Sequence, residues 1–199
     1  MIVLGLTGSV GMGKSTATRL LRRCGIPVHD ADAAVHRLLA RGGGAVAPVA
    51  AAFPEALRDG AIDRLALGKR VFGDPAALRQ LESILHPLVR QSERGFLARQ
   101  RRERRAVAVL DIPLLFETGG ERRCNAVLVV SAPRRIQLAR VLGRPGMSVA
   151  RLAGIEARQM NDAEKRRRAD FVIATGLSRR HSLARLCRAV KRIRERGHA

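Results

Sequence analysis

The sequence predicts an α/β fold in which a parallel β-sheet is flanked by helices. Short apolar runs alternate along the chain with segments whose apolar residues recur at helical spacing. The first apolar run leads directly into a glycine-rich loop that opens a helix. The chain has 199 residues, which is enough for one domain with a sizeable hydrophobic core. We therefore expect a single domain whose strands are separated by helices.

Short apolar runs that end at glycines or prolines indicate the N-terminal elements. Residues 2–6 form an uninterrupted apolar run, which is typical of a strand buried on both faces. Residues 15–23 have helical apolar spacing, and residues 25–29 contain a turn followed by a second short strand. A helix over residues 31–40 is expected to stop at the three glycines of residues 42–44.

The segment between the second and third strands is predicted to be helical. No strand is predicted between residues 54 and 105. The predicted helices of this segment cover residues 64–72, 75–85 and 88–104. Asp74 is suited to cap the second of them, because it directly precedes Pro75. The segment is too long for a simple crossover connection, so we expect a helical, substrate-binding insertion over residues 31–105.

Strands and helices alternate again in the second half of the chain. The predicted strands cover residues 106–112, 126–131 and 171–173, and helix-compatible sequence follows the first two. The predicted helices cover residues 133–142, 149–160 and 182–194. A break at residues 143–146 separates the first two helices, so residues 143–163 are expected to form a small lid. The predicted core then comprises residues 1–30, 106–142 and 164–199.

A phosphate-binding motif follows the first predicted strand. Residues 8–15 satisfy the pattern G-x-x-x-x-G-K-[ST] in the strand–loop–helix context that this motif requires. Glycines let backbone N–H groups curl around a phosphate, and the N-terminal end of the helix adds positive potential. Lys14 would reach the β- and γ-phosphates of ATP, and the Ser15 hydroxyl would ligate Mg²⁺. The predicted fold is therefore P-loop NTPase-like, and its ATP-binding residues are Gly8, Ser9, Val10, Gly11, Met12, Gly13, Lys14, Ser15 and Thr16.

Three aspartates are expected near the carboxyl ends of strands, where ligands bind in sheets of this kind. Asp30 and Asp32 follow the second strand, and either of them would orient an attacking hydroxyl or accept its proton. Either would equally cap the following helix, and position alone does not decide between the two roles. Asp111 ends the third strand at a Walker B-like position, where it would hold Mg²⁺ through water or bond the local backbone.

Four basic residues are candidates for contact with anionic ligands. His86 and Arg90 lie one helical turn apart in the insertion, where they would contact a substrate or simply satisfy the local structure. Arg140 and Arg144 flank the end of the helix after the fourth strand, at the entrance to the lid. There they would neutralise charge on the transferring phosphoryl group, or form part of a solvated basic face.

Composition excludes some classes of protein and leaves others open. The formal net charge is +21, and most of the excess lies after residue 100, which favours an anionic partner. Only five Phe and no Trp or Tyr are present, which argues against stacking platforms for single-stranded nucleic acid. No apolar run is long enough for a membrane span, and the N-terminus does not resemble a signal peptide. The distant cysteines Cys24, Cys124 and Cys187 argue against structural zinc and a disulfide framework, so we expect a cytoplasmic protein, with a monomer favoured.

Longer motifs surround these candidate residues in a fixed order. Residues 6–16 are LTGSVGMGKST, and residues 25–32 are GIPVHDAD. Residues 85–90 are LHPLVR, and residues 111–117 are DIPLLFE. A Q-x-x-R-x-x-x-R pattern runs from Gln137 through Arg140 to Arg144, and a further match covers residues 159–173. In this order the motifs resemble those of the dephospho-coenzyme A kinase family over nearly the whole chain.

The resemblance implies transfer of the γ-phosphoryl of ATP to the ribose 3′-hydroxyl of dephospho-CoA, the last step of coenzyme A biosynthesis. It makes Asp32 the catalytic base, with Lys14 and Arg140 as the other catalytic residues. It also implies that Ser15 and Asp111 serve Mg²⁺ and that Arg144 contacts ATP from the lid. The implied dephospho-CoA-binding residues are His86, Arg90, Leu114, Leu115, Phe116 and Glu117.

The chain departs from the family pattern at two positions. Thr175 stands where the family often has Asn in an I-x-N-x-G context, and Pro145 stands in the lid where a polar or acidic residue is common. Two other functions remain as alternatives. One is another small-molecule kinase, such as a nucleoside monophosphate kinase. The other is an ATPase stimulated by nucleic acid, which the basic stretches at residues 99–105 and 165–168 would favour. We nevertheless expect the partners to be ATP and dephospho-CoA, with no specific nucleic acid and no membrane.

Overall fold

The computed structural model describes residues 1–196, which fall into two compact units. The first unit comprises Met1–His29 and the chain from Gln100 onward, and the second comprises Asp30–Arg99. The described strands are β1 (Ile2–Thr7), β2 (Val28–Asp30), β3 (Leu57–Arg58), β4 (Ala61–Ile62), β5 (Val107–Asp111), β6 (Ala126–Ser131) and β7 (Phe171–Ala174). The described α-helices are α1 (Lys14–Arg23), α2 (Ala31–Leu39), α3 (Val46–Ala52), α4 (Arg64–Val71), α5 (Pro75–Arg102), α6 (Arg134–Leu142), α7 (Val149–Glu156), α8 (Asp162–Arg168) and α9 (Arg179–Arg196).

Five strands form the main sheet, in the order β2-β5-β1-β6-β7. The first strand of the chain is therefore central. It pairs in parallel with β5, where Leu4 lies opposite Val109, and with β6, where Leu6 lies opposite Leu128. The parallel α/β sheet predicted from the sequence is confirmed. Because such a sheet brings the carboxyl ends of its strands to one edge, the loops after β1, β5, β6 and β7 meet there.

Both faces of the central strands are buried, which explains why these strands are continuous apolar runs. On one face α1 and α9 pack against Leu4, Leu6 and Leu128. Helix residues that complete this core include Leu20, Leu21, Leu186, Ala189 and Val190. On the other face Val127 and Val129 pack against residues from the loop that follows β5. Burial of these side chains supplies the main favourable free energy of the first unit.

The second unit is built from helices α2 to α4 and most of α5 around a separate core. Its buried aliphatic and aromatic side chains include Val49, Phe53, Leu67, Leu81 and Leu85. Acidic side chains cap α2, α4 and α5 at their starts. Asp63 accepts hydrogen bonds from the amides of Leu65 and Ala66 at 2.8 and 3.2 Å, so the first turn of α4 is not left with unsatisfied donors.

The expectation that residues 54–105 contain no strand is wrong, because β3 and β4 form a short antiparallel hairpin there. Its turn contains Asp59 and Gly60, whose φ angles are 48° and 75°. An Asp-Gly pair with positive φ at both positions is the preferred chemistry of a two-residue hairpin turn. Each strand has only two residues, so neither produces the apolar alternation by which strands are predicted.

The expectation of two helices at residues 75–85 and 88–104 is also wrong. They are one helix of 28 residues, α5, which continues through Pro87. Proline removes one backbone hydrogen bond and crowds the preceding turn, at a cost of about 3 kcal/mol. Leu85 before it is buried in the core of the second unit, and Leu88 after it packs against the same core. Their burial favours continuation of the helix and offsets that cost.

Two differences from the predictions concern the loops of the first unit. The predicted helix at residues 149–160 ends at Glu156, and a separate helix, α8, begins after Asn161. The Asn161 side chain caps α8 by accepting the amide of Glu164 at 2.8 Å. After β5 the chain forms a turn and a 3₁₀-helix, Gly120–Arg123, rather than a longer helix. None of the helices within residues 1–196 has the length and apolarity needed to cross a membrane.

Candidate functional site

The phosphate loop lies between β1 and α1 and is held close to its neighbours by its glycines. Gly11 and Gly13 have φ angles of 77° and 91°, a left-handed conformation that side chains disfavour. A Cβ atom on Gly8 would lie 2.4 Å from Val130 Cγ2 and 2.7 Å from the Val130 carbonyl oxygen. Gly13 is the N-cap of α1 and provides no side-chain cap, which suits a helix end that receives an anion. The loop therefore has the backbone conformation of a phosphate cradle.

A buried polar cluster lies behind the loop. Lys14 Nζ lies 2.7 Å from Asp111 Oδ1, and Thr18 Oγ1 donates to Asp111 Oδ2 at 2.5 Å. The Asp111 side chain is 2% exposed, whereas that of Lys14 is 17% exposed. Sequence reasoning anticipated Lys14 and Asp111 but missed Thr18. Thr18 lies one helical turn after Lys14, so the 3.6-residue period of α1 was the signal that would have found it.

Thr175 and Arg140 hold the opposite side of the loop. Thr175 Oγ1 donates to the Met12 carbonyl oxygen at 2.6 Å, and the Thr175 side chain is buried. The Arg140 guanidinium donates to the Thr175 carbonyl oxygen at 2.6 Å, to Thr175 Oγ1 at 3.2 Å and to the Gly11 carbonyl oxygen at 3.4 Å. Arg140 therefore supports the loop through these hydrogen bonds, although the residue as a whole is exposed. The residue that departs from the family pattern at position 175 holds the loop through its hydroxyl.

Two glutamines bond the loop to α6 and to the segment that follows α7. Gln137 on α6 donates through Nε2 to the Val10 carbonyl oxygen at 2.9 Å. Gln159 accepts the Val10 amide at 3.1 Å. The backbone amide and carbonyl groups of Val10 are therefore both bonded to side chains that lie far from the loop in the sequence. These bonds fix the position of the loop. Gln159 lies in the segment predicted to be a lid, so this end of the segment is connected to the phosphate loop.

A cavity of about 350 Å³ lies beside the phosphate loop in the first unit. Its wall includes Ser9, Met12, Arg134, Glu156 and Asp162. Ser9 Oγ and Asp162 Oδ1 are buried and have no hydrogen-bond partner among the described residues. Arg134 is bound to Glu156, and this hydrogen bond raises the pKa of the Arg134 guanidinium. Because charged and polar residues line a cavity of this size, it offers space for a polar ligand group.

The loop after β5 contains a second buried ion pair. Lys165 Nζ lies 2.8 Å from Glu117 Oε1, and the Lys165 side chain is completely buried. Glu117 Oε1 also accepts the Met160 amide at 2.7 Å. Thr7 Oγ1 donates to the Pro113 carbonyl oxygen at 2.9 Å, which ties the start of this loop to the end of β1. Glu117 therefore holds two segments together.

The predicted dephospho-CoA-binding residues of this loop occupy different environments. Leu115 is 0% exposed and Phe116 is 6% exposed, and both pack in the core beneath the sheet. Both therefore anchor the loop, and their predicted contact with dephospho-CoA stays a prediction. The Arg168 guanidinium also lies 4.6 Å from the centre of the Phe116 ring, a favourable cation–π contact. Leu114 and Glu117 are partly exposed.

The second unit contains Asp30 and Asp32 at the start of α2. Asp30 is the N-cap, and its Oδ1 accepts the Ala33 amide at 2.9 Å. Asp32 lies in the first helical turn. Position alone did not decide which of the two aspartates caps the helix. Asp30 does so, and α2 therefore does not need Asp32 for that purpose.

His86 and Arg90 lie four residues apart on α5 in the second unit, and both side chains are exposed. Residues at this spacing share one helix face, so an imidazole and a guanidinium are presented to the same side. In the first unit Arg144 follows α6 and is exposed as well. These three cationic or potentially cationic side chains are accessible to an anionic ligand.

The residues predicted to serve a metal ion fit a site completed by nucleotide phosphates. Ser15 is exposed on the first turn of α1, and Asp111 is held by Lys14 and Thr18. Among the described residues, no group of three or more His, Cys, Asp or Glu side chains is placed to hold a metal ion. Magnesium in nucleotide sites takes one or two protein oxygens, together with phosphate and water oxygens. A hydroxyl and a nearby carboxylate match that donor set.

Comparisons with known proteins agree with this geometry. The family model described as dephospho-CoA kinase matches residues 2–178. A dephospho-CoA kinase of Paramagnetospirillum magneticum is 66% identical over 166 residues, which cover 83% of this chain and 78% of the relative. One of Rhodospirillum rubrum is 58% identical over 187 residues, covering 93% and 88%.

Solved structures show the same similarity. A crystal structure from Thermus thermophilus superposes with a TM-score of 0.83 at 40% identity, covering 95% of each chain. The dephospho-CoA kinase of Campylobacter jejuni superposes with a TM-score of 0.73 at 25% identity, covering 98% of each chain. The similarity therefore extends over both units and not only over the phosphate loop.

Proposed function

The chain belongs to the dephospho-CoA kinase family, and on that basis we propose which of its residues carry out the reaction. The activity is transfer of the γ-phosphoryl of ATP to the ribose 3′-hydroxyl of dephospho-CoA, the last step of coenzyme A biosynthesis. The observation on which the assignment depends is the cluster of Lys14, Thr18 and Asp111 directly behind the phosphate loop. In this cluster Lys14, which is partly exposed, would supply a cation to the phosphates, and Asp111 would supply a carboxylate to the metal.

ATP would bind with its triphosphate on residues 8–16. Backbone amides of the loop and the start of α1 would receive the phosphate oxygens. Lys14 is partly exposed and its Nζ is shared with a single carboxylate, so it exchanges Asp111 for a phosphate oxygen with little rearrangement. Arg140 would act mainly by holding the loop in shape through Thr175 and Gly11. The binding energy thus comes from a cradle that is already formed.

Kinases of this class use ATP together with a divalent metal ion, and we propose Mg²⁺ here. When bound, the ion would neutralise charge on the phosphate oxygens. Ser15 would donate its hydroxyl oxygen as a ligand. If Lys14 turned to the phosphates, Asp111 Oδ1 would be free to help hold the ion, while Thr18 would keep Oδ2 in place. Thr18 would therefore act as a positioning residue for Asp111.

Asp32 would be the general base for the acceptor hydroxyl. As the new bond between O3′ and the γ-phosphorus forms, the bond from that phosphorus to the ADP oxygen breaks. The O3′ proton passes to Asp32. In a loose transition state the proton moves late, so alignment of the hydroxyl contributes more than basicity. His86 and Arg90 would bind anionic groups of dephospho-CoA, and Arg144 would approach the ATP phosphates from the lid.

A pair of neighbouring substitutions tests the base. Asp32→Asn keeps the size of the side chain but removes its capacity to accept the proton, so turnover should fall by at least about 100-fold. The Kd for ATP should remain within about twofold, because the phosphate loop is unchanged. Turnover is measured by mass spectrometry of the CoA formed, and ATP affinity by calorimetry.

Asp30→Asn is the matched control, since asparagine caps helices as well as aspartate does. This variant should retain turnover within a few-fold. Turnover within tenfold of the wild type in Asp32→Asn, or an equal loss in both variants, would reject Asp32 as the base. Replacement of dephospho-CoA by nucleoside monophosphates in the same assay should give no comparable ADP release.

A further inference from the structure

Two cysteines that are distant in the sequence lie side by side at the surface of the first unit. Cys24 directly follows α1, and Cys187 lies within α9, 163 positions later. Their Sγ atoms are 3.8 Å apart. Both residues are free thiols, and both are exposed. Nothing in the phosphoryl transfer reaction uses this pair.

The packing of the two helices holds these thiols together. Leu20 and Leu21 on α1 are buried in the same core as Leu186 and Val190 on α9. The backbone amide of Cys24 is bonded to the Leu20 carbonyl oxygen at 3.1 Å, so its position follows that of the helix. Movement of the two cysteine backbones away from each other would require the helices to separate and the core to open. The proximity is therefore a property of the fold.

The chemistry of the two thiols is coupled as well. Partial burial raises the pKa of the Cys24 thiol, and the hydrogen bond with Cys187 raises it further, while the charge of Arg23 acts in the opposite direction. Since a disulfide bond is about 2.05 Å long, the sulfurs need to approach by about another 1.8 Å. Exposed cysteine side chains are free to make that adjustment by rotation about the Cα–Cβ bond.

We propose that Cys24 and Cys187 form a reversible intramolecular disulfide when the chain meets a low-molecular-weight disulfide such as oxidised glutathione. One cysteine thiolate attacks the reagent, which releases one glutathione thiol and leaves a mixed disulfide on the protein. The second cysteine then attacks the protein sulfur of that mixed disulfide and releases the second glutathione thiol. Two protein thiols are oxidised and one reagent disulfide is reduced to two thiols, so electrons and protons balance.

The bond would fasten α1 to α9 in the arrangement that they already have. It closes a loop of more than 160 residues, and such cross-links restrict the unfolded chain strongly. We therefore expect oxidation to raise the melting temperature by about 5 °C or more. The phosphate loop is at the opposite end of α1, so the oxidised protein should retain kcat within about twofold.

The test uses the full purified chain, incubated with oxidised glutathione under denaturant-free conditions. The number of titratable thiols per chain should fall from three to one, and the intact mass should fall by about 2 Da. Tryptic digestion without reductant should give residues 24–37 linked to residues 186–188. Dithiothreitol should restore all three thiols and the original melting temperature.

Three single variants serve as controls. Cys124→Ser should still form the bond, because Cys124 lies elsewhere, with its Sγ donating to the Gly120 carbonyl oxygen. Cys24→Ser and Cys187→Ser should instead stop at a mixed disulfide with glutathione, with no rise in melting temperature. The proposal is overturned if the wild type also stops at mixed disulfides. It is equally overturned if the cross-link joins two chains or includes Cys124.

Discussion

Two carboxylates of the first unit and two of the second lie in different environments. In the first unit Asp111 and Glu117 are mostly buried, and each is paired with a lysine at 2.7 or 2.8 Å. In the second unit Asp63 and Asp74 lie at the surface, where they bond the amides of helix starts. Removing a charge from water is costly unless a partner compensates. The buried pairs therefore mark places where the chain requires a charge, whereas the surface caps serve only local helix structure.

The two buried pairs also differ from each other. Lys14 is 17% exposed and lies behind the phosphate loop, whereas Lys165 is completely buried. Glu117 Oε1 accepts both Lys165 and the Met160 amide, whereas Glu117 Oε2 is buried and has no hydrogen-bond partner among the described residues. We propose that the first pair exchanges with a ligand, and we call it the exchangeable pair. We propose that the second, whose lysine is completely buried, is structural, and we call it the closed pair.

Substitution of Lys14, the lysine of the exchangeable pair, should lower kcat/KM more than any other substitution described below. Lys14→Met deprives the β- and γ-phosphates of their cation, and we expect kcat/KM to fall about 1,000-fold. The melting temperature should fall less than in a variant of the closed pair, because Asp111 keeps Thr18. Lys191→Met is the control, because Lys191 is exposed and its ion pair with Glu195 is long, with 4.0 Å between Nζ and Oε1. A loss of kcat/KM below tenfold in Lys14→Met would contradict this role.

The closed pair should behave in the opposite way. Lys165→Met leaves Glu117 buried without its cation, which we expect to lower the free energy of unfolding by about 3–5 kcal/mol. Thermal unfolding should show a melting temperature lower by about 10 °C. At temperatures well below the transition, kcat should remain within about fivefold of the wild type. A shift under 2 °C, or a loss of activity without a loss of stability, would show that the two pairs do not differ as described.

The support of the phosphate loop should give an intermediate effect. Thr175→Val removes the hydroxyl that donates to the Met12 carbonyl oxygen at 2.6 Å and receives Arg140. Loss of about 1–1.5 kcal/mol should raise KM for ATP about tenfold. The change in kcat should be smaller, because the loop holds phosphates in both the ground and transition states.

Thr175→Ser provides the matched control for that substitution. Serine keeps the hydroxyl and removes only a methyl group, so KM for ATP should stay within about twofold. If serine and valine raise KM equally, packing of the methyl group rather than the hydrogen bond holds the loop. Steady-state kinetics with varied ATP at saturating dephospho-CoA measures both variants.

The parts of the site that could be predicted from the sequence are those in which neighbouring residues act together. The phosphate loop is one consecutive segment, and Asp111 is recognisable because it ends an apolar strand. The partners across the chain were not predictable. Thr18 meets Asp111 across 93 positions, and Thr175 meets Met12 across 163. Such pairs depend on strand order and helix packing, which a single sequence does not specify.

The errors in the prediction have the same physical origin. An apolar LLF segment after a strand suits a substrate contact and a core anchor equally well, so the sequence alone does not show that Leu115 and Phe116 are buried. The hairpin of β3 and β4 was missed because strands of two residues show no periodicity. Pro87 indicates a helix boundary locally, yet packing continues α5 through it. Cys24 and Cys187 were separated by sequence distance and brought together by α1 and α9.

The smallest predicted effect concerns the surface caps of the second unit. A backbone hydrogen bond from Ala66 lowers the pKa of Asp63, and one from Ala77, followed by the hydrogen bond from Arg70, lowers that of Asp74. Because the folded state favours the ionised form, these groups contribute stability above the unfolded value of about pH 3.9. That contribution is lost as the pH falls through the lower folded-state values.

A double variant, Asp63→Asn with Asp74→Asn, should isolate this contribution. Asparagine also caps helices, so the melting temperature at pH 7 should match that of the wild type closely. Between about pH 4 and pH 2 the melting temperature of the variant should fall less than that of the wild type, because the variant has no carboxylate at these two caps to be protonated. Asp59→Asn in the β3–β4 turn is the control and should follow the wild-type curve. Parallel curves for the double variant and the wild type would show that these two caps do not cause the acid sensitivity.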